Sequence, residues 1–174
     1  MPPKLEDLKF VRIIDPQLFA VIPRYLFEQI KELNGEMIDA IRENATNILT
    51  VPVMNEKGVV VGTLPKLNVW IAALYDVDLG IKGFLWANFD GIEKCIYVHA
   101  CSVDKEYQSA DGAFINKVVE YLRSLPISEK FKNKILMSTS RPKAFEKRGW
   151  NRSKKIFMEF TKITSVEDSN ENGN

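Results

Sequence analysis

The clearest hydrophobic pattern lies between Lys94 and Leu125. Lys94-Cys-Ile-Tyr-Val-His-Ala-Cys-Ser-Val103 is β-branched and aromatic over an unbroken apolar core, which predicts a strand covered on both faces. A polar turn, Asp104 to Ala110, leads into Asp111–Leu125. There Phe114, Val118, Leu122 and Leu125 recur at helical spacing, and Pro126 stops the run. A buried strand that feeds a helix through a short polar turn is a place to bind phosphate. The first helical N–H groups are unpaired and point outward.

The rest of the chain is read by the same two periods. Leu8 to Ile14 predicts a first strand. Asp15-Pro16 then supplies an N-cap carboxylate and a proline at the first helical position. Leu18, Phe19, Ile22, Leu26, Ile30 and Leu33 continue a helical stripe to Gly35, read as its C-cap, with Pro23 kinking or dividing the run. Glu36 to Asn44 predicts a further helix. Val51–Met54 and Val59–Leu64 flank Asn-Glu-Lys-Gly, the pattern of a hairpin. Val69–Tyr75 and Ile81–Phe89 predict a second strand pair, and Asp90-Gly91 turns into the strand described first. After its helix come a strand at Lys134–Ser138, a short helix at Arg141–Arg148 closed by Gly149, and a last strand at Lys155–Thr164. Strands and helices in this order imply a mixed α/β fold with an antiparallel meander.

The composition adds boundaries. A chain of 174 residues is expected to form one domain, here 1–164, with 46–68 as an inserted hairpin and 165–174 as a disordered acidic tail. With a net charge of +1, no overall field points to nucleic acid or an anionic membrane. No apolar run approaches the roughly 20 residues of a membrane span. The N-terminal Met1-Pro-Pro-Lys lacks the apolar core of a signal peptide, and Cys95 and Cys101 read as reduced, buried thiols, so the expected compartment is the cytoplasm. With one histidine, no zinc cluster is expected.

Two local motifs carry a resemblance. Val103-Asp-Lys-Glu-Tyr-Gln108-Ser-Ala-Asp-Gly-Ala113 resembles the acyl-CoA loop of the GNAT superfamily of acyl-CoA-dependent N-acyltransferases, usually V-x-P-x-[YW]-[QR]-x-x-G-x-[GA]. Ala144-Phe-Glu-Lys-Arg-Gly-Trp150 is similar to that family's A-x-Y-E-K-x-G-F ending of the penultimate helix. With the element order, the resemblance covers roughly residues 8–163. It implies a mainly antiparallel sheet of about six or seven strands with helices on both faces, and a cleft where two strands splay apart. It also implies acetyl-CoA or another acyl-CoA as cofactor, bound at Cys101, Ser102 and Val103 and by the loop Gln108, Ser109, Ala110, Asp111, Gly112 and Ala113. The reaction implied is acyl transfer to a primary amine of a small molecule or a protein.

Two positions depart from the family pattern. Asp111 stands where the first loop glycine is usual, bringing bulk and negative charge beside a pyrophosphate site; its carboxylate is also a good N-cap for the following helix. Gly112 can replace that glycine by a one-residue shift. Phe145 stands where the family commonly has a proton-donating tyrosine, and a phenyl ring cannot donate.

Strict alternation places Tyr97, His99, Cys101 and Val103 on one strand face. By resemblance Tyr97 and His99 hold the positions of a general base or water relay. His99, with an ordinary pKa near 6.5, is suited to taking a proton from an ammonium group. The alternative is a core histidine. Cys101 reads as a structural thiol. Ser138, Thr139 and Ser140 are either polar groups near the thiol or caps for the helix at Arg141. Arg141–Lys155 holds seven basic residues against one acidic, suited to a phosphate, to an acidic partner or simply to solvent. The second reading of the chain is a GNAT-fold protein without catalysis, of a kind familiar among phage-encoded proteins, acting as a homodimer or in an assembly. Asp111 and Phe145 favour it; the histidine on the pocket strand favours the enzyme.

Overall fold

Asp15 and Pro16 begin the first helix as their residue types dictate. The Asp15 side chain accepts a hydrogen bond from the Gln17 amide, and Pro16 is the first helical residue. The computed structural model describes residues 4–109, 111–139 and 141–153. The expected strand Lys155–Thr164, the tail from Ser165, and the single positions Ala110 and Ser140 lie outside the described residues.

In chain order the elements are β1 (Lys9–Ile13), α1 (Pro16–Ala20), α2 (Arg24–Glu28), α3 (Gly35–Glu43), α4 (Ala45–Leu49), β2 (Thr50–Met54), β3 (Val60–Pro65), β4 (Val69–Asp76), β5 (Gly80–Asp90), β6 (Cys95–Val103), α5 (Ala113–Ser124), α6 (Glu129–Lys132), β7 (Ile135–Met137) and α7 (Pro142–Glu146). Pro23 divides the first helical stripe, as expected. Gly35 does not end that stripe: it is the first residue of α3, because the Asn34 side chain captures the Met37 amide at 2.8 Å and caps a new helix there. Arg42 of α3 donates to the carbonyls of Ala20 and Ile22, so the end of α1 is satisfied by a side chain from another helix.

The main sheet has five strands in the order β1-β4-β5-β6-β7. Its first three pairings are antiparallel, and β6 with β7 is parallel. β2 and β3 form a separate two-stranded antiparallel sheet, the hairpin expected from the sequence. Alternation along β4 and β5 splits the core in two. Ile71, Ala73 and Phe84 pack with Phe19, Leu26, Phe27, Ile38 and Leu49 from α1–α4. Leu74, Leu85 and Ala87 pack on the other face with Phe114, Val118 and Leu122 of α5. Helices therefore cover both faces of the sheet.

Candidate active site

β6 and β7 pair at only three positions, Ile96–Ile135, Tyr97–Leu136 and Val98–Met137. β6 continues to Val103, so its backbone from His99 onward faces an opening on the β7 side. That opening is a cleft of about 460 Å3. It is lined by β6 from Val98 to Val103, by the loop after α2, residues 29–33, and by Gln108, Ser109, Gly112 and Arg148. Met137, Ser138, Thr139 and Phe145 complete the far wall.

On its other edge β6 carries one extra residue. Trp86 pairs with Ala100 and Ala87 with Val98, which leaves His99 bulged between them. The bulge overturns the strict alternation expected from the sequence. Ile96 and Val98 before it pack on the α5 face, and so do Cys101 and Val103 after it. Tyr97 and His99 lie on the opposite face, the one that carries Trp86. The His99 ring sits 5.3 Å from that of Trp86 and edge-on at 4.7 Å to that of Tyr97. Partial burial among these rings disfavours the imidazolium and lowers the His99 pKa below its ordinary 6.5. The neutral imidazole, able to accept a proton, thus prevails at neutral pH.

The neighbouring β6 residues play other parts. Burial pushes the Cys101 thiol up to about 12, which leaves it protonated and unreactive. The Ser102 hydroxyl donates to the Leu26 carbonyl at 2.6 Å and so holds the end of α2 on the sheet. The Val103 carbonyl accepts from the Gln108 side-chain amide at 3.0 Å. The same nitrogen donates to Gln29 Oε1, so one side chain ties the loop after β6 to the loop after α2. Gln29 was not singled out in the sequence, where nothing marks it; its place in the cleft follows from α2 docking on β6.

At the start of α5, Asp111 does what its residue type allows. Its Oδ1 accepts the Ala113 amide at 3.0 Å and the Ser109 hydroxyl, and these bonds hold its carboxyl below the ordinary carboxylate pKa. Gly112 caps the helix in the left-handed region, φ 77°. A Cβ there would lie 2.5 Å from Arg148 Nε, so the guanidinium rests against a position that only glycine leaves open. Arg148 Nε donates to the Asp111 carbonyl at 3.2 Å and Nη1 to the Ala144 carbonyl at 3.0 Å, joining α7 to the loop. Arg141 also lines the cleft, and Lys143 and Lys147 share with Arg148 and Asp111 a hollow beside it. Arg141, Lys143, Lys147 and Arg148 of the basic run noted in the sequence therefore line the cleft or the hollow beside it.

Phe145 stands in the cleft wall, edge-on to Trp150 with ring centroids 5.5 Å apart. Thr139 lines the cleft, and its Oγ1 accepts the amide of Arg141, the N-cap residue of α7, at 3.0 Å. Of the residues expected to form the site, His99, Cys101, Ser102, Val103, Gln108, Ser109 and Gly112 line this cleft, Asp111 lines the hollow beside it, and Tyr97 and Ala113 line neither.

No protein-family sequence model matches the chain, and no curated protein matches it in sequence. Solved structures do. A candidate acetyltransferase from Clostridium difficile 630 superposes over 90% of this chain and 97% of its own, with a TM-score of 0.51 and 15% identity. A candidate acetyltransferase of the GNAT family from Desulfovibrio desulfuricans superposes over 82% and 83%, again with a TM-score of 0.51 and 15% identity. No described helix is long and apolar enough to cross a membrane. Element order, the parting of β6 from β7 and these superpositions agree on one architecture: the chain has the fold of the GNAT acetyltransferases.

Proposed function

We propose that this chain binds an acyl-CoA in the cleft between β6 and β7 and transfers the acyl group to a primary amine. The observation that carries the reading is the opening itself. The stretch of β6 from His99 to Val103, beyond its last pairing with β7, lines a cleft of about 460 Å3, with Arg141 and Arg148 in its walls. Backbone N–H and C=O groups along such a stretch suit the amides of a pantetheine arm. The amides at the start of α5, together with Arg148, Lys143 and Lys147, suit a pyrophosphate.

Acyl-CoA supplies an activated thioester, whose carbonyl carbon the free amine attacks with loss of the thiol. Neutral His99 takes the proton that the ammonium form of the acceptor must lose. The β6 backbone orients the reacting carbonyl. Phe145 offers no proton, so the departing sulfur is protonated from water. The test is release of free thiol from acetyl-CoA across a panel of small primary amines and lysine peptides. Amine-dependent release that His99→Gln cuts by about 100-fold supports the reading, within the range for loss of a general base.

A second reading is favoured by one contact. Asp111 already occupies the Ala113 amide that a pyrophosphate needs. With Phe145, this supports a GNAT-fold protein that binds or assembles without transferring an acyl group. Cofactor-independent self-association, with no thiol release, is its signature.

A further inference from the structure

Two buried side-chain atoms of β5 have no hydrogen-bond partner among the described residues: the indole Nε1 of Trp86, whose ring lies against that of His99, and the side-chain carbonyl Oδ1 of Asn88. They are a donor and an acceptor two residues apart on β5, so they project from one face of the sheet. Asn88 is paired across the sheet with Tyr97, and Trp86 with Ala100, while His99 is the bulged residue between those two. The rings of Trp86, His99 and Tyr97 are in contact along this face. An unbonded buried polar atom is costly, and such atoms are rare unless water reaches them. A donor and an acceptor from one sheet face are partners of the kind a buried water takes, which needs two to four of them.

We propose that Trp86 and Asn88 hold an ordered water that accepts the ring N–H of His99 and thereby fixes its tautomer. The water accepts from Trp86 Nε1–H and from the imidazole N–H, and donates to Asn88 Oδ1. The other imidazole nitrogen is left bare toward the cleft, where a base must be. Trp86 and Asn88 are positioning residues in this arrangement: they act through His99 and do not touch substrate. The inference rests on the reading of His99 as the base, and it explains why the bulge turns this residue toward Trp86. The other titratable or charged groups near the ring are Tyr97 against it and Lys31, Glu32, Cys101, Arg141 and Arg148 in the shared cleft.

The test uses the fact that His99 is the only histidine. In protein labelled with 15N-histidine, nitrogen shifts above the imidazole pKa report one ring, and the expected result is one neutral tautomer. Trp86→Phe keeps an aromatic ring on this face and removes the N–H together with part of the indole's volume; Asn88→Leu removes the acceptor. Each is expected to give a mixture of tautomers and to lower kcat about 10-fold at unchanged KM for the amine, part of the contribution of an oriented base. A tautomer mixture in the unaltered protein overturns the proposal, as does a single tautomer retained in both variants. So does a Trp86→Phe protein more stable than the parent, the mark of an N–H that had no water. If acyl transfer is absent altogether, that result falls on the functional reading, and the nitrogen shifts still decide this one.

Discussion

Asp111 Oδ1 accepts the Ala113 amide at 3.0 Å, so the first turn of α5 is bound by an anion of its own chain. The relationship sets an internal carboxylate against any phosphate for the same N–H group. Asp111→Gly removes the competitor and leaves the Gly112 cap in place. Affinity for acetyl-CoA is then expected to rise about 5-fold by calorimetry, in line with the modest strength of charge at an exposed helix start. Weaker binding would mean that Asp111 is an adapted part of the site.

Gly112 tests the packing at the same turn. Gly112→Ala puts a side chain at φ 77°, which costs about 1–2 kcal/mol in the left-handed region. It also drives a Cβ into Arg148 Nε. Urea unfolding is expected to show a loss of at least that size. Combined with Arg148→Ala, the loss is expected to shrink toward the backbone cost alone, because the clash is with a flexible side chain.

His99 predicts two pH dependences of the same sign. Its folded pKa is lowered, so between that value and the ordinary 6.5 the unfolded chain binds more protons and stability rises with pH. Below both values the penalty for charging the partly desolvated ring is complete. Denaturant midpoints from pH 5 to 7.5 are expected to climb through this window, and His99→Gln to flatten the climb. The acidic limb of kcat/KM is expected to follow the same protonation, falling at pH below 6.5.

Phe145→Tyr returns a hydroxyl to the cleft wall beside Ser138 and Thr139. If sulfur protonation limits turnover, kcat is expected to rise about 10-fold or more, as general acids commonly contribute. An unchanged kcat would place the slow step elsewhere. The edge-on contact with Trp150 leaves the aromatic packing intact in this variant.

Most of this architecture was legible in the chain because local signals agreed with the fold. Asp15-Pro16 and Pro23 act within one turn of the backbone, and β4 to β6 are apolar on both faces because helices cover both. Gly35 misled because an asparagine cap at Asn34 outweighed it, a choice between two neighbouring residues that both favour helix ends. The bulge at His99 was hidden by its setting. One extra residue in a continuous apolar run leaves no mark on the sequence, yet it moves Tyr97 and His99 to the face opposite Cys101 and Val103. Gln29 was illegible as a cleft residue for another reason: its place depends on α2 docking against β6, whereas Arg148 is legible within a basic run suited to a phosphate, an acidic partner or solvent. The motif around Val103–Ala113 could be read because its chemistry lies in consecutive backbone groups.

The central claim is that the cleft between β6 and β7 binds acyl-CoA, and chemical denaturation with and without acetyl-CoA tests it most directly. At 100 times its dissociation constant a ligand adds about 2.7 kcal/mol to the stability of the folded chain. The account predicts a stabilisation that grows with acetyl-CoA concentration and is reduced by Arg148→Ala. No change in the denaturation midpoint at millimolar acetyl-CoA would contradict it.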